Sequence, residues 1–251
     1  MGKYFTYFTD KPSSRDGDVV DSNDRTQAAA PTRPRMVRLI AIAVAMLVGI
    51  VLVPIGARLT TDWPNILAGT VPDDDFAERY VAHPWISYLH IGLGLAYLLG
   101  APLQLSRRFR TRHYPVHRRL GRVLLTCGLL SGVFALLFGL LYPWGGPIEG
   151  SATLIFGLWF VACLVLAFRA IRRGDVRQHR RWMIRAFAVG VGIGTIRIWI
   201  GIFTAVVLST SDAADPLLPD PFTFGVSFWL AFAVHVAIGE WWLRWTPALD
   251  G

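Results

Sequence analysis

Charge is what this sequence has least of. Asp, Glu, Lys and Arg make up 17% of its 251 residues, against roughly 25% in a soluble domain. Lysine is nearly absent, with Lys3 and Lys11 the only two. Cysteine is as scarce, and both Cys127 and Cys163 lie inside apolar runs. Such a pair makes no disulfide framework, no thiolate metal motif and no C-x-x-C-H haem attachment. Both read as small packing residues. A P-loop, a G-x-S-x-G turn and an H-E-x-x-H helix are also missing, which removes the enzyme classes they mark. No nucleic-acid-binding motif accompanies the net charge of +8, so nucleic acid is not the implied partner.

What is there is apolar. Hydrophobic residues make up 53% of the chain, with mean hydropathy +0.44. They fall into six runs, over about 37–57, 83–105, 119–142, 151–171, 182–208 and 222–245. Each is long enough for a helix to cross a hydrocarbon core of about 30 Å. Only helices or closed barrels satisfy the backbone in lipid, and continuous runs are not barrel strands. The expected fold is all-α, a six-helix transmembrane bundle over 37–245 with the lipid bilayer as its first partner. Residues 1–36 are polar and lack a periodic apolar face, so they read as a disordered tail. Residues 246–251 read as a short C-terminal tail. The long polar stretch before the first run is unlike a signal peptide. The opening Met1-Gly2-Lys3-Tyr4-Phe5-Thr6 matches a myristoylation pattern short enough to arise by chance.

Basic residues alternate between connections. The tail up to Arg38 carries seven, residues 107–122 carry seven arginines, and residues 169–185 carry another seven. The other connections hold only Arg58 and Arg79. The positive-inside rule then predicts a multi-pass protein of the cell (inner) membrane with both termini cytoplasmic. Loops 58–82, 143–150 and 209–221 are expected outside. The first is acidic through Asp73, Asp74, Asp75 and Glu78 and reads as a solvated loop. The Gly128/Gly132 and Gly190/Gly194 pairs suit close helix packing. Trp85, Tyr142, Trp144, Trp182, Trp241 and Trp242 suit interfacial anchoring.

Polar groups inside the spans cost free energy and so carry information. His90 lies in span two, Arg197 in span five, and His235 and Glu240 in span six. His83, His90 and Gln104 recur on one helix face. His117 and His179 open spans three and five, each followed by two arginines. His113 sits in the basic turn and reads as solvated.

Two strings carry a resemblance. One runs from His90-Ile91-Gly92 through Gly100-Ala101-Pro102-Leu103-Gln104 to His117-Arg118-Arg119-Leu120-Gly121-Arg122. The other is His179-Arg180-Arg181-Trp182-Met183-Ile184-Arg185, with Arg197 further along the span. Over about 83–208 the chain resembles the predicted bacterial membrane proteins grouped as domain of unknown function 2306. That resemblance implies a membrane fold and brings no activity with it.

Three function classes follow. One is a redox membrane protein holding b-type haem between helices through paired histidines. The candidate pairs are His90 with His235 and His117 with His179, with Arg197 beside a propionate. His90 and His235 are also the candidates for a shared metal. The second is a transporter or receptor for a small molecule or quinone, with His90 and Arg197 lining a polar cavity. Against transport, no inverted repeat is visible. The third is a non-catalytic membrane assembly protein.

Overall fold

The structure is a computed structural model that describes residues 34–210 and 220–245. The expected N-terminal tail up to residue 33, the C-terminal tail 246–251 and most of loop 209–221 lie outside the described residues. The chain forms two units, Met1–Ala41 and Ile42–Gly251. The described part of the first is the opening of one helix. Everything below concerns the second.

Among the described residues eight helices follow in order: α1 (Pro34–Ala68), α2 (Asp75–Ala82), α3 (Pro84–Leu105), α4 (Arg107–Arg112), α5 (Tyr114–Leu141), α6 (Gly146–Arg172), α7 (Val176–Thr210) and α8 (Pro221–Trp245). Among the described residues no strand occurs. Among the described residues, five helices are long and apolar enough to cross a membrane: α3, α5, α6, α7 as far as Val206, and α8. They match five of the six apolar runs. The first run lies in α1, which is not among those five.

Three boundaries differ from the sequence reading. Residues 58–82, expected as a loop, are largely helical. α1 continues to Ala68, and Arg58 pairs with Asp62 one turn on at 3.3 Å, a contact that supports the helix past the end of the apolar run. Asp74 then caps α2 by accepting from the backbone N–H of Phe76 and Ala77. The basic turn 107–113 is mostly the short helix α4, capped by Ser106. α5 and α7 start at Tyr114 and Val176, ahead of their apolar runs. Arginine is a good helix former, so polarity alone does not end a helix there.

α3 packs on α5, α5 on α6, α6 on both α7 and α8, and α7 on α8, with α3 also touching α7. The core lies among them: Tyr97 from α3, Phe156, Cys163 and Leu164 from α6, Val189 and Ile196 from α7, and Phe232 from α8. Gly128 sets the approach of α5. A Cβ there would lie 2.8 Å from the Tyr97 ring and 2.9 Å from Leu164. Gly174, at φ +79°, closes the end of α6, a left-handed position that glycine adopts without strain. Trp85 and Trp241 are exposed, as anchors would be. Trp182 is not simply interfacial. It packs against the core, with the Arg185 guanidinium 4.6 Å from its ring centroid.

Candidate functional site

A cavity of about 240 Å³ opens inside the bundle, walled by α1, α2, α3, α5, α6, α7 and α8. It reaches from mid-bundle, at Tyr97 and Gly190, to the end that holds α2 and the α5–α6 connection. Most of its surface is apolar. The exceptions gather toward the α2 end.

Two ion pairs frame that end. Arg79 of α2 reaches Glu149 of α6 at 3.3 Å and the Tyr142 carbonyl at 3.2 Å. Rings of Phe76, Tyr80, Phe138 and Phe224 surround the Arg79 guanidinium at 4.8–5.5 Å. Glu149 also accepts the Gly145 N–H at 2.7 Å. Arg58 of α1 stacks over Phe76 and Tyr80 and pairs with Asp62. Asp62 is fully buried and accepts the Tyr88 hydroxyl at 2.9 Å. Each of these two arginines therefore has its carboxylate.

Arg197 has none. It lines the cavity wall from α7, and its charge acts on Tyr80, Arg58 and Arg79. Among the described residues it makes no hydrogen bond or ion pair. Three guanidinium groups thus face the cavity with Glu149 as the one carboxylate on its described wall.

His90 lines the same cavity from α3. Its Nδ1 lies 3.1 Å from the Ser131 carbonyl and 3.1 Å from the Ser131 hydroxyl. That hydroxyl donates to the His90 carbonyl at 2.9 Å. The Nδ1 proton then goes to the Ser131 carbonyl, which leaves Nε2 as a free acceptor. His235 is elsewhere. It does not line the cavity. Its Nδ1 lies 2.8 Å from the Ala231 carbonyl and 3.4 Å from the Thr195 hydroxyl, at the α7–α8 interface. His90 and Arg197 therefore share one cavity, and His235 sits outside it.

The other expected pair lies at the opposite, arginine-rich end. His117 of α5 and His179 of α7 are close enough to interact electrostatically, and Arg110 of α4 acts on both. His179 Nδ1 meets the Ala167 carbonyl at 2.9 Å, while His117 Nδ1 is buried without a partner. Burial, then the charges of Arg180 and Arg107, lower the pKa of Arg110. Towards this end Arg185 holds Glu240 in a two-pronged pair, one contact at 2.9 Å. His83 is the hinge between α2 and α3 and stacks on Tyr142 at 3.7 Å between ring centroids.

Arg58, Asp62, Arg79 and Glu149 were missed as site residues. In the sequence they stand beyond the apolar runs, where charge looks solvated. The available signal was the lone Glu149 at the head of an otherwise apolar segment, facing a chain with few cations outside its basic clusters. Groups of three or more His, Cys, Asp or Glu placed to hold a metal are absent among the described residues.

A family model described as "Predicted membrane protein (DUF2306)" matches residues 87–243. No curated protein and no solved structure matches the chain.

Proposed function

Since the chain belongs to the domain of unknown function 2306 family of membrane proteins, we propose that it binds a small amphiphilic molecule inside the bundle. The head of that molecule is anionic or a quinone carbonyl and sits against Arg197. The apolar remainder lies among the Gly-rich and aromatic walls. One observation carries this reading: Arg197 faces a cavity of about 240 Å³ and has no partner among the described residues. A cation held within a span needs a counter-charge or hydrogen-bond acceptors. Its neighbours Arg58 and Arg79 already have theirs, so the acceptor comes from a ligand. The free Nε2 of His90 adds an acceptor for a hydroxyl, as on a reduced quinone or a protonated acid.

The test is native mass spectrometry of the protein purified in mild detergent, beside thermal unfolding with added fatty acids or short-chain quinones. A bound small molecule, or a raised unfolding midpoint, is expected. Arg197→Gln should weaken binding about tenfold or more, since hydrogen bonds to charged groups contribute about 1.5–3 kcal/mol. No bound molecule and no response to either compound class removes the reading.

A b-type haem held by histidine is the second reading. It is favoured by the way Nδ1 of His90, His179 and His235 each meets a backbone carbonyl. That arrangement keeps Nε2 available to iron, as for metal-bound histidines. His90 with His235 fits less well, because His235 does not line the cavity. A visible absorbance spectrum of protein expressed with ample haem decides it. A colourless protein ends the haem reading and leaves the amphiphile reading standing.

A further inference from the structure

We propose that the arginine-rich end carries a second binding site, for a phosphate group, built from Gln104, Arg110, His117 and His179. Four helices bring these residues together. α4 packs on both α3 and α5. Arg110, on α4, thereby acts on His117 of α5 and His179 of α7, with Arg180 of α7 also in range. Gln104 comes from the last turn of α3. It lies against Gly121, where a Cβ would stand 3.3 Å from its Oε1. Gly121 is one helical turn from His117 on the same face of α5.

The cluster leaves hydrogen bonds unmade. Gln104 is 8% exposed, yet neither its Nε2 nor its Oε1 has a partner. His117 Nδ1 is buried and equally unpartnered. Among the described residues the Arg110 guanidinium makes no hydrogen bond or ion pair. Buried polar groups are hydrogen-bonded as a rule, so several unmade bonds in one place call for something that makes them. Burial and the Arg180 and Arg107 charges already press on Arg110. An anion relieves that pressure and accepts from all sides.

The geometry favours phosphate over carboxylate. The polar groups come from four helices rather than one plane, and a tetrahedral group with several oxygens can serve them together. Gln104 Nε2, the Arg110 guanidinium and His117 Nδ1 can donate to phosphoryl oxygens. His179, whose Nδ1 meets the Ala167 carbonyl, offers Nε2 as an acceptor for a hydroxyl of the ligand. Arginine beside a phosphoryl oxygen is a strong charge-assisted pairing. The level also suits it, because basic pockets between helices on the cytoplasmic side receive phospholipid head groups. The shared chemistry is the phosphate monoanion or dianion. Its source is a lipid head group or a free phosphate.

The experiment uses the full chain, delipidated in neutral detergent, with thermal unfolding as the readout. Inorganic phosphate and phosphatidylglycerol are added separately, with phosphatidylcholine as the neutral-headed control. The expected result is a raised midpoint with at least one phosphate source and a weaker one with phosphatidylcholine. A response to inorganic phosphate means the site opens to water. A response to phosphatidylglycerol alone means it takes a lipid head group. Arg110→Gln removes a charge that burial, Arg180 and Arg107 already disfavour, so it should not lower the ligand-free midpoint, and it should weaken the response about tenfold. Gln104→Leu should weaken it too while tolerating burial. No response to either source, or an equal response in Arg110→Gln, overturns the proposal. So does a haem absorbance that disappears in His117→Ala. This site shares no residue with the cavity, so either can fail alone.

Discussion

Arg79 and Glu149, seventy positions apart, meet at 3.3 Å with both side chains almost fully buried. The pair ties α2 to the head of α6, and its aromatic surround excludes water. Breaking a buried pair from one side leaves a charge with no counter-charge, a loss of about 3–5 kcal/mol. Glu149→Gln and Arg79→Ala should each lower the thermal unfolding midpoint in detergent sharply. Replacing both by Leu and Met should recover much of the loss. If the two single variants unfold at the wild-type temperature, the pair contributes little. Arg185–Glu240 is the internal comparison. Its carboxylate side chain is 33% exposed, so its loss should cost only about 1 kcal/mol.

Gly128 is expected to be intolerant of size. A methyl group there meets the Tyr97 ring and Leu164 within 3 Å, and overpacking of this kind costs about 1–3 kcal/mol. Gly128→Ala should lower the unfolding midpoint. Gly92, whose Cβ would meet nothing within 4 Å, is the control. Gly92→Ala should be neutral or slightly stabilising, because alanine is the better helix former. An equal loss at both positions contradicts the packing argument.

Asp220 makes the start of α8 sensitive to acid. Burial pushes its carboxyl up, but hydrogen bonds from the Thr223 hydroxyl and the Thr223 and Phe222 N–H groups outweigh that. Its folded pKa therefore lies below the ordinary 3.8. The stability it contributes is complete above about pH 3.8 and is lost as pH falls through the lower folded value. Asp220→Asn keeps the acceptor without the charge and should remove this dependence. Carbon-13 NMR of the Asp220 carboxyl reads the titration directly, and a midpoint above 3.8 would contradict the capping account.

The arginine pattern predicts that Gly146 and Gly174 lie on opposite faces of the membrane, with Gly174 cytoplasmic. Reporter fusions at the two glycines measure this. Fusions that report the same side for both would exclude a single crossing by α6. An external Gly174 would reverse the expected orientation.

The helical membrane architecture was legible in the sequence because hydropathy reports what a helix must do in lipid. Arg197 and His90 were legible as cavity residues for the same reason, since polar groups at that depth need company. The ring around them was not. Arg79, Arg58, Asp62 and Glu149 sit at the edges of apolar segments, where the sequence gives charge and depth but not direction. α2 turns Arg79 back into the bundle against Glu149, and its Phe76 and Tyr80 rings receive Arg58. His235 shows the converse. Its depth suggested a shared site, but helix packing aims it at Thr195 instead, and packing order is a tertiary property with no local signature.

Ser131 has one more consequence. Its hydroxyl bonds the His90 carbonyl while its own carbonyl faces the His90 ring. The two contacts run in opposite directions between α3 and α5 at a single level. Sliding one helix along the other by a turn would rupture both together, and tilting the two as a unit would rupture neither. The bundle is therefore latched against translation at this level. A response of these two helices to whatever occupies the cavity favours moving α3 and α5 together, since sliding them apart gives up both hydrogen bonds, about 0.5–1.5 kcal/mol each.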